Sequence, residues 1–174
     1  MKILNWAMLA TVFFLAGCVG LGGGFPNTKY ESSVSLKLVN EKHQCTAVHI
    51  SGGEFLTAAH CLGPALFING NPSTVIFTDE EFDIALLSVL SLKEMKYHTV
   101  SCVVPRIGTK ITVVGAPLGI KRIHTFGNVA SNQRSFPDWP TAIWLNVSAG
   151  PGSSGSPVYN EEDKIIGIVV GGLL

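Results

Sequence analysis

The sequence predicts an all-β protein built from two small antiparallel β-barrels. Glycine occurs 19 times and proline 9 times in 174 residues, whereas charged residues make up only 14% of the chain. This balance favours short strands joined by tight turns over long amphipathic helices. Short apolar runs also recur between turn signals, a pattern typical of barrels.

The N-terminal residues predict export before any folded element begins. Residues 3–15 form an apolar stretch that is short for a membrane span and typical of a signal peptide. The following Leu15-Ala16-Gly17-Cys18 resembles a bacterial lipobox, which implies removal of residues 1–17 and lipidation of Cys18. An ordinary signal peptide and an uncleaved anchor are the alternatives. With lipid on Cys18, the protein would be a membrane-anchored lipoprotein facing the periplasm or the cell exterior.

Residues 18–26 are predicted to be the lipid attachment site and a flexible glycine-rich tether, and residues 27–100 to be the first barrel. Apolar and polar residues alternate over 34–38, which indicates a half-buried strand. The turn signals Ser51-Gly52-Gly53-Glu54 and Asn69-Gly70-Asn71-Pro72 each predict a hairpin. Strands are therefore expected at 34–38, 45–50, 55–59, 65–68, 74–77 and 83–87.

Residues 101–174 are predicted to form the second barrel. The stretch 91–99 loses periodicity and gains polar residues, so it is expected to connect the two halves. Five further apolar runs follow, which again suit short antiparallel strands. They lie at 110–114, 123–129, 143–147, 157–159 and 165–170.

The charge balance disfavours nucleic acid as a partner. Lysine plus arginine and aspartate plus glutamate both total 12, so the formal net charge is zero. A neutral chain has no long-range attraction for polyanions. No Cys-x-x-Cys or His-x-x-x-His spacing occurs either, so neither a zinc site nor any other cofactor is expected.

The remaining cysteines fit an oxidising compartment. Cys45 and Cys61 flank a predicted hairpin, so a disulfide between them is geometrically reasonable. A loop of that length would contribute roughly 3 kcal/mol in the chain-entropy model. Cys102 is predicted to be a buried, inert thiol at a strand start, with intermolecular pairing as the alternative.

Three short stretches carry the chemical signal. They are Thr57-Ala58-Ala59-His60-Cys61, Asp83-Ile84-Ala85-Leu86-Leu87 and Gly152-Ser153-Ser154-Gly155-Ser156-Pro157. A serine hydroxyl is a poor nucleophile at neutral pH, so an imidazole must take its proton and return it to the leaving amine. We expect His60 to be this base, Asp83 to be the carboxylate that orients the imidazole, and Ser154 to be the nucleophile. The amides of Gly152 and Ser154 are expected to bind the oxyanion.

Other readings of these residues compete. His60 could be a packed core histidine, and the glycine-rich serine turn could be a simple loop. Asp79, Glu80 and Glu81 compete with Asp83, but they form a solvated charge run whereas Asp83 leads directly into an apolar strand. The histidines without a motif are expected to be surface or structural residues; these are His43, His49, His98 and His124.

The three stretches resemble the motifs of the chymotrypsin-like, or trypsin-like, serine proteases, and they occur in that family's order of His, Asp and Ser. The resemblance implies the chymotrypsin-like fold and a serine endopeptidase that acts on polypeptides. It also implies a disulfide beside the histidine, where this chain has Cys45 and Cys61. A binding module with a degraded site and an esterase with the same triad are the alternatives.

Two branches of that family are similar to parts of the second half. The run from Gly155 to Asn160 followed by Ile166-Gly167-Ile168 looks like the bacterial glutamyl endopeptidases. Gly115-Ala116-Pro117-Leu118-Gly119 with Gly127-Asn128-Val129 resembles the Deg-type heat-shock proteases.

The residues expected around the substrate depart from both charged specificities. Glutamyl enzymes carry a histidine where this chain has Val169 and a small hydroxyl residue where it has Ala149. Trypsin-like enzymes carry an aspartate where it has Ser148. An apolar or small pocket is therefore predicted, lined by Ser148, Ala149, Val170 and Gly172.

Two further departures concern activation and the chain end. Ser153 replaces the family's self-activating aspartate, so activation by a freed amine is not expected. Relatives usually continue beyond the position of Leu174 into another strand or a helix, so the second barrel is expected to lack its last strand. Either this is a minimal version, or a partner chain, a substrate or a missing segment closes the open edge.

Overall fold

The computed structural model describes residues 33–38, 44–131 and 142–172, with side chains described from residue 44 onward. The predicted signal peptide, Cys18, the tether over 18–26 and His43 lie outside the described residues. The strands are β1 (Ser33–Leu38), β2 (Gln44–Ser51), β3 (Glu54–Ala58), β4 (Leu66–Ile68), β5 (Asn71–Pro72), β6 (Thr74–Asp79), β7 (Ile84–Ser88), β8 (Lys110–Gly115), β9 (Ile123–Ser131), β10 (Trp144–Asn146), β11 (Pro157–Tyr159) and β12 (Ile165–Ile168).

The first half is an antiparallel sheet in the order β5-β4-β1-β2-β3-β7-β6. Gly52 and Gly53, both with positive φ, make the tight turn between β2 and β3 that the sequence predicts. The second hairpin turn is narrower than expected, because Asn71 and Pro72 themselves pair with β4 and form β5. Each strand predicted in this half overlaps an observed one.

The second half is an antiparallel sheet in the order β10-β9-β8-β11-β12. Its strands also overlap those predicted, although β12 ends at Ile168 because the chain beyond it no longer forms ladder pairs. Within the described residues, β10 and β12 end the sheet without pairing with each other. The all-β prediction of two chymotrypsin-like halves is confirmed.

The two sheets share part of their core. One apolar cluster lies within the first half, around Phe55 and Leu87, and another lies within the second, around Ile111 and Val158. A third cluster contains Val48 of β2 together with residues of β8, β11 and β12, namely Val114, Tyr159 and Ile165. All four residues of this third cluster are 0% exposed, so the halves are packed against each other.

The segment between the sheets is attached to the second one. Thr99 accepts a hydrogen bond from the Ile165 amide, and Ser101 donates one to the Ile165 carbonyl. The prediction of a buried Cys102 is wrong: its thiol is free and exposed. The reason is that residues 101–105 form an irregular stretch ahead of β8 and place no strand there.

His49 is a structural residue, as expected, and it is fully buried. Its ring stacks on Phe55, and its two nitrogens bond to the Lys96 carbonyl and the Gly53 amide.

In the part of the chain that the structure describes, no helix has the length and apolar character needed to cross a membrane.

Candidate active site

The pairing of β3 with β7 brings His60 and Asp83 together. Ala58, the last residue of β3, lies opposite Ile84, the first residue of β7. His60 follows β3 in a short helical turn, Ala59–Cys61, and Asp83 immediately precedes β7. Because the strands are antiparallel, the exit of one meets the entrance of the other. The register between β3 and β7 therefore places the His60 imidazole beside the Asp83 carboxylate.

Both oxygens of the Asp83 carboxylate bind His60. Oδ1 accepts a hydrogen bond from the His60 amide at 2.8 Å, and Oδ2 lies 2.6 Å from the ring Nδ1. An ionised carboxylate can only accept, so Nδ1 carries the proton and Nε2 is left as the basic nitrogen. The Asp83 side chain is 18% exposed while the His60 side chain is 47% exposed, so the ring stays accessible.

The backbone turn before β7 selects Asp83 among the neighbouring acids. Its φ is +52°, and its carbonyl accepts a hydrogen bond from Ala59. Left-handed backbone is unfavourable outside glycine and tolerable for aspartate. The competing Asp79 instead binds the Phe82 amide, whereas Glu80 and Glu81 are exposed. The carboxylate at the histidine is thus the one that the sequence predicts.

A disulfide joins Cys45 of β2 to Cys61, next to His60, as predicted. Both cysteines are buried, at 4% and 1% exposure. A ring nitrogen of His60 and the two sulfurs lie within 4.8 Å of one another. Since the sulfurs are bonded to each other, they offer no thiolate to a metal ion.

Ser154 lies in a tight loop before β11. The Ser153 amide donates to the Gly150 carbonyl at 2.9 Å, and the Ser156 amide donates to the Ser153 carbonyl at 2.9 Å. Gly152 and Gly155 both have positive φ, +94° and +79°, so glycine permits the two bends around Ser154.

The Ser154 loop is held against the first half beside the disulfide. The Thr46 amide donates to the Ser154 carbonyl at 2.8 Å, and Thr46 directly follows Cys45. On the other side, the Gly155 amide donates to the Val169 carbonyl at 2.7 Å. These contacts tie the Ser154 loop to β2 next to Cys45, whose disulfide partner Cys61 directly follows His60. Within the described residues, no hydrogen bond joins the Ser154 hydroxyl to His60.

The two amides predicted to bind an oxyanion belong to Gly152 and Ser154. Among the described residues, neither the Gly152 nor the Ser154 amide donates a hydrogen bond. The Leu118 amide donates to the Pro151 carbonyl at 2.7 Å. Carbonyl and N–H point in opposite directions across a trans peptide, so this bond sets the direction of the Gly152 N–H.

A groove of about 420 Å³ opens beside this loop. It lies mainly between residues 142–149 and 166–172 and reaches Asp83 at one end. Three of the four predicted pocket residues line it, namely Ala149, Val170 and Gly172. Ser148 does not line it and is exposed. Trp144, Leu145, Val147 and Ile166 also line the groove, and sequence reasoning missed them because neighbouring strands contribute them.

Sequence reasoning also missed Thr46 and Leu118. Both support the serine loop from other segments, through hydrogen bonds to Ser154 and Pro151 respectively. Thr46 carries no sequence signal beyond its position after Cys45. Leu118 lies in the Gly115 to Gly119 run that drew attention as a resemblance, and its left-handed φ of +53° is visible only in the structure.

Comparison with known proteins agrees with this geometry. The chain is 29% identical over 96 residues to a probable periplasmic serine endoprotease DegP-like of Hahella chejuensis, an alignment that covers 54% of this chain and 20% of that protein. It is 30% identical over 142 residues to the pro-apoptotic serine protease NMA111 of Debaryomyces hansenii, covering 69% of this chain and 14% of that protein. The chain thus spans a fifth or less of the length of these relatives.

Two solved structures share the fold. The serine endoprotease from Yersinia pestis superposes with a TM-score of 0.70 at 18% identity, over 81% of this chain and 54% of that one. The inactive form of the Rv3671c protease, from M. tuberculosis H37Rv, superposes with a TM-score of 0.65 at 20% identity, over 82% and 78%. Residues 45–168, well over half of the chain, match the trypsin-like peptidase domain family. The chain therefore belongs to the trypsin-like peptidase domain family.

Proposed function

We propose that this protein is a serine endopeptidase that hydrolyses peptide bonds through an acyl-enzyme intermediate. The observation that carries the proposal is the pair of hydrogen bonds from His60 to Asp83. The Ser154 loop is bonded to Thr46, which follows Cys45, the disulfide partner of the residue after His60. Trypsin-like serine protease relatives support the same reaction class.

The proposed reaction assigns a role to each of these residues. Nε2 of His60 takes the proton as the Ser154 hydroxyl attacks the peptide carbonyl, and later gives it to the leaving amine. Asp83 holds the ring and stabilises the imidazolium. The amides of Gly152 and Ser154 bind the oxyanion of the tetrahedral intermediate. A water molecule then attacks the acyl-enzyme, with His60 taking its proton and returning that proton to the Ser154 oxygen. This step releases the carboxylic acid product and restores the enzyme.

Labelling with a fluorophosphonate probe tests the nucleophile. We expect covalent labelling of the wild type and none in Ser154→Ala. Ser156→Ala is the matched control, because that hydroxyl lies in the same loop, is buried and bonds to no described group. Labelling that persists in Ser154→Ala contradicts the proposal. Turnover of an ester without any turnover of peptides would favour the esterase, and a wild type that neither labels nor hydrolyses would favour a binding module.

We propose that the enzyme prefers substrates with an apolar residue immediately before the scissile peptide bond. Support comes from the groove beside the Ser154 loop, whose walls include Trp144, Leu145 and Val170. Among the described lining residues, the acids are Glu81 and Asp83, which lie two positions apart in the chain. A peptide library is expected to give cleavage after apolar residues. Preferred cleavage after glutamate would instead support the glutamyl-endopeptidase resemblance, and cleavage after lysine or arginine would contradict the apolar groove as the specificity site.

We further propose export and membrane anchoring through Cys18. The lipobox-like tetrapeptide supports this location, and the name of the Hahella relative places that protein in the periplasm. Mass spectrometry of the mature N-terminus is expected to find lipid on Cys18. In Cys18→Ser the lipid and the membrane association should both be lost, and membrane association that persists in this variant contradicts the anchor.

We propose that a polypeptide binds at the β12 end of the second sheet. Ile165 already bonds to Thr99 and Ser101, but the rest of β12 has no strand on its outer edge within the described residues. An extended chain, either the substrate or a partner that closes the barrel, would add a strand there. Light scattering of the purified protein separates these cases. A stoichiometric complex supports a closing partner, and a catalytically active monomer shows that none is needed.

A further inference from the structure

Thr46 connects the two halves through its backbone. It lies on β2 and is only 1% exposed. Its amide donates to the Ser154 carbonyl at 2.8 Å, and its carbonyl accepts from the Thr57 hydroxyl at 2.8 Å. Gly155 lies against the same carbonyl so closely that an added Cβ would overlap it. The Ser154 loop therefore packs directly against the Thr46 backbone.

The Thr46 hydroxyl forms two more hydrogen bonds to the second half. Oγ1 donates to the Gly152 carbonyl at 3.0 Å and accepts from the Ala116 amide at 3.0 Å. A hydroxyl has a single proton to donate, so the direction of both bonds is determined. One side chain thus joins β2, the end of β8 and the serine loop.

These bonds orient the peptide planes that flank the Ser154 amide. The Thr46 hydroxyl holds the carbonyl of Gly152, and the Thr46 amide holds the carbonyl of Ser154. The Ser154 amide lies on the plane between these two. Gly152 has φ of +94° and no Cβ, so its own backbone gives little resistance to rotation. The loop therefore depends on an external bond to keep both oxyanion amides aimed at one point.

We infer that Thr46 is a positioning residue for the oxyanion-binding loop. This inference rests on the proposed peptidase function, since the loop must bind an oxyanion for the position to matter. Thr46 is buried beneath the loop, so it acts through Gly152 and Ser154. Its loss should impair the transition state more than substrate binding in the groove.

Three variants test the inference. Thr46→Val keeps the shape and removes both hydroxyl bonds, whereas Thr46→Ser keeps the hydroxyl. Thr57→Val is the matched control, because it removes one buried hydrogen bond to the same residue without touching Gly152 or Ala116. We expect kcat to fall about tenfold to hundredfold in Thr46→Val with KM within about threefold of wild type. Thr46→Ser and Thr57→Val should stay within about threefold in kcat.

A second readout does not need turnover. The Ala116 amide donates to the Thr46 hydroxyl, so its hydrogen exchange should be about tenfold faster in Thr46→Val and near wild type in Thr46→Ser. Unchanged kcat in a folded Thr46→Val protein overturns the inference, as does an equal loss of kcat in Thr57→Val. A wild type without turnover contradicts the proposed function instead. In that case, unchanged Ala116 exchange in Thr46→Val overturns the inferred bond.

Discussion

The acid-base pair and the nucleophile loop are built in different ways. His60 and Asp83 come from adjacent strands of one sheet, where the register of β3 and β7 is enough to bring them into contact. The Ser154 loop is shaped by glycines with positive φ. It bonds to Val169 and to the turn containing Leu118 within the second half, and to Thr46 of β2 in the first half. The pair is thus a property of one half, whereas the loop requires both halves.

Disrupting the pair of Asp83 and His60 should lower turnover more than any other change. In Asp83→Asn the amide can donate to Nδ1 and so favours the wrong histidine tautomer, and we expect kcat to fall about 10⁴-fold. Asp79→Asn is the matched control, because among the described residues the Asp79 carboxylate accepts its hydrogen bond from the Phe82 amide in the same turn and not from His60. Peptide hydrolysis by both variants provides the measurement. Unchanged turnover in Asp83→Asn would remove Asp83 from the mechanism.

Adding a side chain where the Ser154 loop packs against β2 should lower the stability of the fold strongly. An alanine at Gly155 would overlap the Thr46 carbonyl and would also have to adopt φ of +79°. We expect Gly155→Ala to lower the free energy of unfolding by about 3 kcal/mol or more. Gly167→Ala is the control, since an added Cβ there meets nothing within 4 Å. Urea denaturation of both variants makes the comparison, and equal stability would show that the loop does not depend on this contact.

A moderate effect should come from removing the disulfide beside His60. The Cys45→Ala/Cys61→Ala double variant removes the cross-link that closes this loop in the unfolded chain, and it leaves neither thiol of the pair behind. We expect it to lose about 3 kcal/mol of unfolding free energy. Cys102→Ser is the control, because that thiol is already free and exposed. A double variant as stable as wild type would mean that sheet pairing alone holds the histidine turn.

The smallest effect is expected far from both regions, in the turn before β12. The exposed Glu162 accepts a 2.8 Å hydrogen bond from Lys164, and this contact lowers the pKa of the Glu162 carboxyl. A lowered pKa stabilises the fold only above the unfolded pKa, and this contribution disappears as pH falls through the folded value. Because the pair is in water, Glu162→Gln should leave the melting temperature at pH 7 unchanged within error. A clear drop would show that this turn supports β12.

Local patterns were sufficient for the strands and for the histidine and aspartate motifs. Turn residues and short apolar runs predicted β2, β3 and β7 to within a residue or two at each end, because buried strands are apolar and end where a turn begins. Asp83 could be chosen over Asp79 since it leads into the buried strand. Cys102 was assigned wrongly, because an apolar neighbourhood in sequence does not reveal that the segment lies on the surface of the second sheet.

The all-β class, the strand order along the chain and the residue types needed for serine chemistry all follow from local sequence patterns. The side chains that line the groove, and the support that Thr46 and Leu118 give to the Ser154 loop, depend instead on how distant segments pack. The physical reason is that these contacts join segments far apart in the chain, such as Thr46 and Gly152, through single hydrogen bonds. Bonds of this kind leave no periodicity or spacing in the sequence, so they become visible only when the two halves are packed together.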